Sequence, residues 1–94
     1  MSVLQRYLVI EHFHPGAEAA IDQRFHSQGR LLPDGLKYID SWRESVTAEQ
    51  EQAQGMRCFQ LMETAQFELF ELWIQRWADL VDFEVIPLRG SHGN

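Results

Sequence analysis

Two histidines at alternate positions, His12 and His14, are the first residues in the chain whose types and spacing could do chemistry. Alternate side chains of a β-strand point to the same face, so both imidazoles could bind one metal ion, and His12 could accept a proton. Glu11 points the opposite way in such a strand, so a third metal ligand would have to come from Asp82, Glu84 or elsewhere. The alternative is that both histidines are ordinary polar residues at a strand end.

A second candidate set, Tyr38, Asp40 and Trp42, also alternates and is expected to share one strand face. An aspartate between two aromatic rings could act as a proton acceptor, and the rings could bind a flat ligand. The alternative is that Asp40 pairs with Lys37 or Arg57, or is exposed on an edge strand, where charges oppose unwanted strand pairing.

Arg57 and Trp73 are further candidates for binding. Arg57 could orient an anionic substrate, or it could pair with an acidic residue on a neighbouring strand. Trp73 and Trp77 are four residues apart, so they share one helix face and could line a pocket or simply form the core. Cys58, the single cysteine, is expected to be a small buried hydrophobe. The sequence has no phosphate loop, nucleophile elbow or zinc cysteine set, and it predicts no dedicated cofactor.

The elements that position these residues follow the order strand, helix, strand, strand, helix, strand. Alternating apolar residues predict strands, and i, i+4 apolar spacing predicts helices that begin after Gly16 and Thr64. The strands are predicted at 6–13, 36–43, 56–63 and 82–88, and the helices at 17–28 and 65–79. This order predicts an α+β, ferredoxin-like fold, with four antiparallel strands in the order 4-1-3-2 and two helices on one face.

Two polar segments lie outside this pattern. For residues 45–55 we favour a solvated hairpin loop, although Thr47 and Gln50 have capping-box spacing and a short helix is the alternative. Residues 89–94 are predicted to be a flexible tail. The chain is therefore expected to be a single domain, 1–94, with an ordered part at about 6–88.

The predicted topology brings the end of the first strand, the end of the second, and the starts of the third and fourth to one edge of the sheet. Such an edge is a natural mouth for a pocket between sheet and helices. Residues expected to line this pocket are Tyr38, Trp42, Trp73 and His12. In that pocket His12 or Asp40 would be the catalytic proton acceptor, and Arg57 would orient an anion.

Both faces of the predicted sheet are apolar, although the helices cover only one. In the first strand Tyr7 and Val9 oppose Leu8 and Ile10, and the third strand has apolar residues on both faces as well. A second copy of the chain could bury the uncovered face, and two-fold dimers are the commonest oligomers. The sequence therefore predicts a homodimer.

Composition limits the possible partners. The 94 residues are 45% hydrophobic and 23% charged, with a net charge of −6. An acidic chain without a basic patch is not expected to bind nucleic acid, and its most apolar segment is too interrupted by charges to span a membrane. A single cysteine and the lack of a signal-peptide pattern favour a cytoplasmic location.

Three segments carry a resemblance to a known family: Gly-Arg-Leu-Leu-Pro-Asp-Gly-Leu-Lys-Tyr-Ile-Asp-Ser-Trp (29–42), Arg-Cys-Phe-Gln-Leu-Met-Glu-Thr (57–64) and Trp-Ala-Asp-Leu-Val-Asp-Phe-Glu-Val-Ile-Pro (77–87). With the first strand, they resemble an uncharacterised bacterial family, a domain of unknown function that is similar to the dimeric α/β-barrel superfamily. That superfamily includes monooxygenase-like, isomerase-like and haem-handling proteins. The resemblance implies the fold and the dimer, and it carries no catalytic residues.

Three functions remain open at this point. The first is a small-molecule-binding protein, with or without enzymatic activity, for a planar or aromatic metabolite. The second is a non-catalytic homodimerising module with structural or regulatory function. The third is haem or metal handling through His12 or His14. A roomy cavity that receives His12 would favour the first function, and a filled core with His12 in solvent would favour the second.

Overall fold

The computed structural model describes residues 3–90, which form one antiparallel sheet with helices on one face. The elements are β1 (Gln5–Phe13), α1 (Glu18–Gln28), β2 (Leu36–Arg43), α2 (Ala48–Gln54), β3 (Arg57–Thr64), α3 (Leu69–Gln75) and β4 (Val81–Pro87). The sheet order is β2-β3-β1-β4, which is the predicted order 4-1-3-2 read from the other edge. The predicted α+β, ferredoxin-like fold is therefore confirmed. The flexible tail was predicted at residues 89–94, and of these, residues 91–94 lie outside the described part of the chain.

The core lies between the sheet and the helices. On this face the two central strands, β1 and β3, contribute buried side chains at alternate positions, among them Val9 and Met62, which are both fully buried. Phe70 and Trp73 of α3 cover them, and each is 1% exposed. Burial of each large apolar side chain stabilises the fold by roughly 1.5–3 kcal/mol, so this layer holds the helices in place.

Residues 45–55 contain a helix, so the favoured hairpin loop is wrong and the capped alternative is right. Thr47 Oγ1 accepts from Gln50 N at 3.1 Å, and Gln50 Oε1 accepts from Thr47 N at 2.9 Å, which completes a capping box. Buried Glu51 explains why this polar helix is ordered. Its Oε2 accepts from the backbone N–H of Glu18 at 3.4 Å, so α2 satisfies a free donor in the first turn of α1.

The helix predicted at 65–79 is shorter than expected, because α3 spans only Leu69–Gln75. Thr64 Oγ1 accepts from Gln66 N at 3.0 Å and so forms a local turn instead of capping the helix. Tight i to i+3 hydrogen bonds precede and follow α3, such as Leu69 N to Gln66 O and Trp77 N to Ile74 O, both at 3.0 Å. These turns bring the two tryptophans of the segment onto the sheet.

A β-bulge in β2 changes which residues share a face. Tyr38 lies opposite Met62 of β3, but Asp40 lies opposite Leu61, so Ile39 is the extra residue. The prediction that Tyr38, Asp40 and Trp42 share a face is therefore wrong. Tyr38 faces the helices, where its hydroxyl lies 2.7 Å from Ser41 Oγ.

The other sheet face, which we call the open face, has no helix over it among residues 3–90. It carries apolar side chains on every strand, in line with the sequence prediction that both faces are apolar. The apolar residues of the open face are Leu8, Ile10, Trp42, Phe59, Leu61 and Ile86. None of the helices in the described part of the chain is both long and apolar enough to cross a membrane.

Candidate functional site

A cavity of about 160 Å³ lies between the helix-facing side of the sheet and the helices. Half of the residues that line it are polar or charged and half are apolar. The first group is Glu11, Arg30, Ser41, Arg43, Cys58 and Gln60, and the second is Phe13, Ile21, Phe25, Trp73, Trp77 and Val81. A cavity with a few convergent polar groups in an apolar wall is the usual form of a small-molecule site.

Glu11 is the most unusual residue of the cavity. It lies on the central strand β1 with only 7% of its surface exposed, and it forms no salt bridge with any residue in the range 3–90. Burial raises the pKa of its carboxyl group, and the neighbouring Gln60 and Cys58 side chains and the charges of Arg43 and Arg30 only partly oppose this rise. Glu11 can therefore hold a proton at a higher pH than an exposed glutamate, which suits a hydrogen-bond donor or a proton-transfer group.

Gln60 and Cys58 lie beside Glu11 on the adjacent strand β3. Gln60 is 7% exposed, and its buried Oε1 has no hydrogen-bond partner in the described part of the chain. Burial, followed by the influence of Glu11, raises the pKa of the Cys58 thiol to about 12, so this cysteine stays neutral and is a poor nucleophile. The floor of the cavity is thus polar, but it carries little charge when Glu11 is protonated.

Two arginines border the cavity, and they differ in how they are paired. Arg43 binds α1 with both arms of its guanidinium group, at 2.9 Å to Glu18 Oε2 and 2.7 Å to Asp22 Oδ1. Arg30 forms no salt bridge or side-chain hydrogen bond within residues 3–90, and its Cζ stacks 3.4 Å from the centre of the Tyr38 ring. Arg43 is therefore already neutralised by carboxylates, whereas Arg30 is held by an aromatic ring and keeps its donors free.

The tryptophans fix the segment that carries Arg30. The indole N–H groups of Trp73 and Trp77 both donate to the backbone oxygen of Arg30, at 3.0 and 2.9 Å. Arg76 Nη1 donates to the next carbonyl, Leu31 O, at 2.7 Å. These contacts link the turn after α1 to the segment around α3, and they close one wall of the cavity.

The structure places the predicted candidates on both sides of the sheet. The predicted edge is confirmed, since His12 lies opposite both Arg57 of β3 and Asp82 of β4. His12, however, is on the open face, where its Nε2 lies 2.8 Å from Glu84 Oε1, and His14 Nε2 lies 3.1 Å from Asp82 Oδ1. No group of three metal-ligating side chains occurs among residues 3–90.

Two of the candidates contribute to the cavity. Trp73 lines it, and Tyr38 supports two of its lining residues, Arg30 and Ser41. Trp42 is 54% exposed on the open face, and Asp40 is exposed and accepts a hydrogen bond from the backbone N–H of Ser41. Any role of Trp42 or Asp40 in binding or proton transfer would therefore be played on the open face.

Arg57 is also on the open face, and it is paired. Its Nη2 lies 2.9 Å from Glu44 Oε2, and its backbone N–H donates to Glu44 Oε1 at 3.0 Å. Arg57 therefore pairs with an acidic residue, as the predicted alternative has it, but Glu44 directly follows β2 and is not part of a strand. This pairing leaves Arg57 less able to orient an anion than Arg30.

Sequence reasoning missed the polar residues that line the cavity, and the signals for four of them differ. Glu11 and Gln60 each interrupt the apolar, helix-facing positions of a central strand, which is a readable sign of a buried polar site. Arg43 could not be assigned to this face, because the β-bulge before it reverses the alternation. The position of Arg30 is set by a turn that the distant Trp73 and Trp77 hold in place, and no local sequence pattern predicts this position.

The comparisons with known proteins identify a family but no activity. The family described as "Domain of unknown function (DUF3303)" matches residues 5–91. The chain belongs to this family. No curated protein and no solved structure matches the chain. The match spans all four strands and the whole cavity, so the polar floor and the arginines lie within the family domain.

Proposed function

We propose that this member of the family binds a small planar molecule, about one aromatic ring in size, in the cavity between sheet and helices. The observation that supports the proposal is a buried carboxyl group, Glu11, in the wall of a cavity of about 160 Å³. Glu11 forms no salt bridge with any residue in the range 3–90. An engineered protein cavity of about 150 Å³ holds benzene, so one ring fits this volume. Haem is much larger than this and does not fit.

The polar floor supports the same proposal. A buried polar group without a hydrogen-bond partner costs about 1–3 kcal/mol, and Gln60 Oε1 has no partner among residues 3–90. A ligand with a polar edge would bind near Glu11 and Gln60, while its ring would pack against Trp73 and Trp77. Within this proposal Glu11, rather than His12 or Asp40, is the residue that exchanges a proton with the ligand.

A matched pair of variants at Cys58 tests the proposal. Cys58→Met adds two heavy atoms to the cavity, whereas Cys58→Ser keeps its volume. We expect benzamide, a neutral single-ring probe, to bind the wild type and Cys58→Ser with similar affinity. Because the methionine side chain occupies part of the cavity, we expect Cys58→Met to bind benzamide at least about tenfold more weakly, which corresponds to a loss of about 1.4 kcal/mol in binding free energy. Equal binding by all three proteins in calorimetric titrations, or no binding by the wild type, would contradict the proposal.

A second function, homodimerisation through the open face, is favoured by a separate observation. Leu8, Ile10, Phe59 and Leu61 form an apolar centre on this face, and Trp42 beside them is 54% exposed. The surrounding charges are mostly paired within the chain, for example Arg6 with Glu63 and Arg57 with Glu44. A second copy would therefore meet an apolar centre and a largely neutralised rim, which makes the surface self-complementary.

The dimer is tested by the oligomeric state. We expect a dimer in light scattering at micromolar concentration, and we expect Leu61→Lys to make the chain monomeric, because it places a charge at the centre of the open face. Gln23→Lys introduces the same charge on the exposed side of α1, away from the open face, and serves as the control that should remain dimeric. A wild-type monomer would contradict this second proposal and leave the cavity proposal intact.

The buried, free Cys58 is also consistent with the cytoplasmic location that we propose.

A further inference from the structure

We propose that the ligand of the cavity is an aromatic monocarboxylate and that Arg30 binds its carboxylate. This inference rests on the proposed function, since it names the chemical class of the molecule that occupies the same cavity. It assigns the recognition of charge to a residue outside the strands, in the turn between α1 and β2.

The geometry of Arg30 carries the inference. Its guanidinium Cζ lies 3.4 Å from the centre of the Tyr38 ring and 5.0 Å from that of Phe25. Stacking at the first of these distances covers a guanidinium face and leaves the N–H donors, which lie in the guanidinium plane, directed sideways. Because no residue in the range 3–90 accepts from these donors, they remain available for a planar, two-oxygen acceptor such as a carboxylate.

The charges around the cavity select a single negative charge. The neighbouring cation, Arg43, is already matched by Glu18 and Asp22. No carboxylate lies within salt-bridge distance of Arg30 among residues 3–90, so Arg30 is the one lining cation without a carboxylate partner in the described part of the chain. One unmatched positive charge fits a carboxylate better than a dianionic phosphate, whose second charge would remain buried and unpaired.

The test compares two probes of nearly equal size, benzoate and benzamide, in three proteins. Arg30→Gln removes the charge that we assign to recognition. Arg24→Gln is the matched control. Like Arg30, Arg24 lies over an aromatic ring, with its Cζ 5.2 Å from the centre of the Trp77 ring, but it is outside the cavity and pairs with Asp79. Affinities come from NMR titrations of the folded chain of 94 residues.

We expect the wild type and Arg24→Gln to prefer benzoate to benzamide by about 10- to 100-fold, and we expect Arg30→Gln to lose that preference while it still binds benzamide. Arg30→Lys, which keeps the charge without the planar fork, should retain part of the preference. Equal binding of both probes by the wild type, or a preference that survives in Arg30→Gln, would overturn the carboxylate assignment but leave the cavity proposal standing. Binding of neither probe would overturn both.

Discussion

Replacement of Gly55 by alanine should destabilise the chain far more than the same replacement at Gly29. Both glycines follow a helix and have nearly the same backbone, with φ 77° and ψ −166° at Gly55 and φ 71° and ψ −159° at Gly29. This conformation costs a residue with a Cβ atom about 1–3 kcal/mol. The surroundings differ, because nothing lies within 4 Å of a Cβ atom at Gly29, whereas one at Gly55 would overlap the carbonyl oxygen of Phe13 and lie 3.3 Å from the carbonyl carbon of His14.

The overlap at Gly55 can be relieved only if α2 moves away from the end of β1. Such overpacking typically costs a further 1–3 kcal/mol or so. We therefore expect Gly29→Ala to lower the free energy of unfolding by about 1–3 kcal/mol and Gly55→Ala by about 2–6 kcal/mol. Urea denaturation measures both losses, provided that the slope of the unfolding free energy against urea concentration is the same in the variants and the wild type. Equal losses in the two variants would refute the close approach of α2 to β1, and with it the position of Phe13 at the cavity.

Two further predictions concern the cavity itself. Because burial raises the pKa of Glu11 above its ordinary value of 4.5, the folded chain keeps a proton that the unfolded chain releases, so this residue lowers stability as pH rises from about 4.5 through the folded pKa. Glu11→Gln should therefore gain stability relative to the wild type as pH increases from 4 to 8 in urea denaturation, and a pH-independent difference would contradict the assignment. The second prediction concerns the backbone oxygen of Arg30, which accepts from the indole N–H groups of both Trp73 and Trp77. Either single variant, Trp73→Phe or Trp77→Phe, leaves this oxygen one indole donor, but the double variant leaves it none. We expect the double variant to lose about 1–3 kcal/mol more than the sum of the single losses, and additive losses would show that the carbonyl does not depend on the pair.

The fold could be predicted because its signals are local and repeated. Apolar alternation in β1 and β3 and the turn residues between elements specify four strands and their order. The capping pair Thr47 and Gln50 was also visible, but the decisive contact of α2, from Glu51 to the start of α1, joins positions 33 residues apart in the sequence. The composition of this polar segment predicts a loop, whereas a hydrogen bond from a distant backbone donor orders it as a helix.

The site was harder to predict than the fold, for two physical reasons. One extra residue at Ile39 moves Arg43 to the cavity side and Trp42 to the open face, and period-2 reasoning cannot detect such a shift. The orientation of Arg30 depends on Tyr38 and on two tryptophans more than 40 residues away. Glu11 was within reach of sequence reasoning, since a charged residue among Tyr7, Val9 and Phe13 on a central strand needs a reason to be buried.

An NMR titration with benzamide, followed through the indole N–H signals, tests the central claim most directly. The chain has three tryptophans, of which Trp73 and Trp77 line the cavity and Trp42 is exposed on the open face. If the ligand binds in the cavity, the Trp73 and Trp77 indole signals should shift and saturate, while the Trp42 signal should not move. The Trp42 signal is identified as the one that is missing from the spectrum of Trp42→Phe. A titration that moves only Trp42, or that moves no indole signal, would contradict the assignment of this cavity as the binding site.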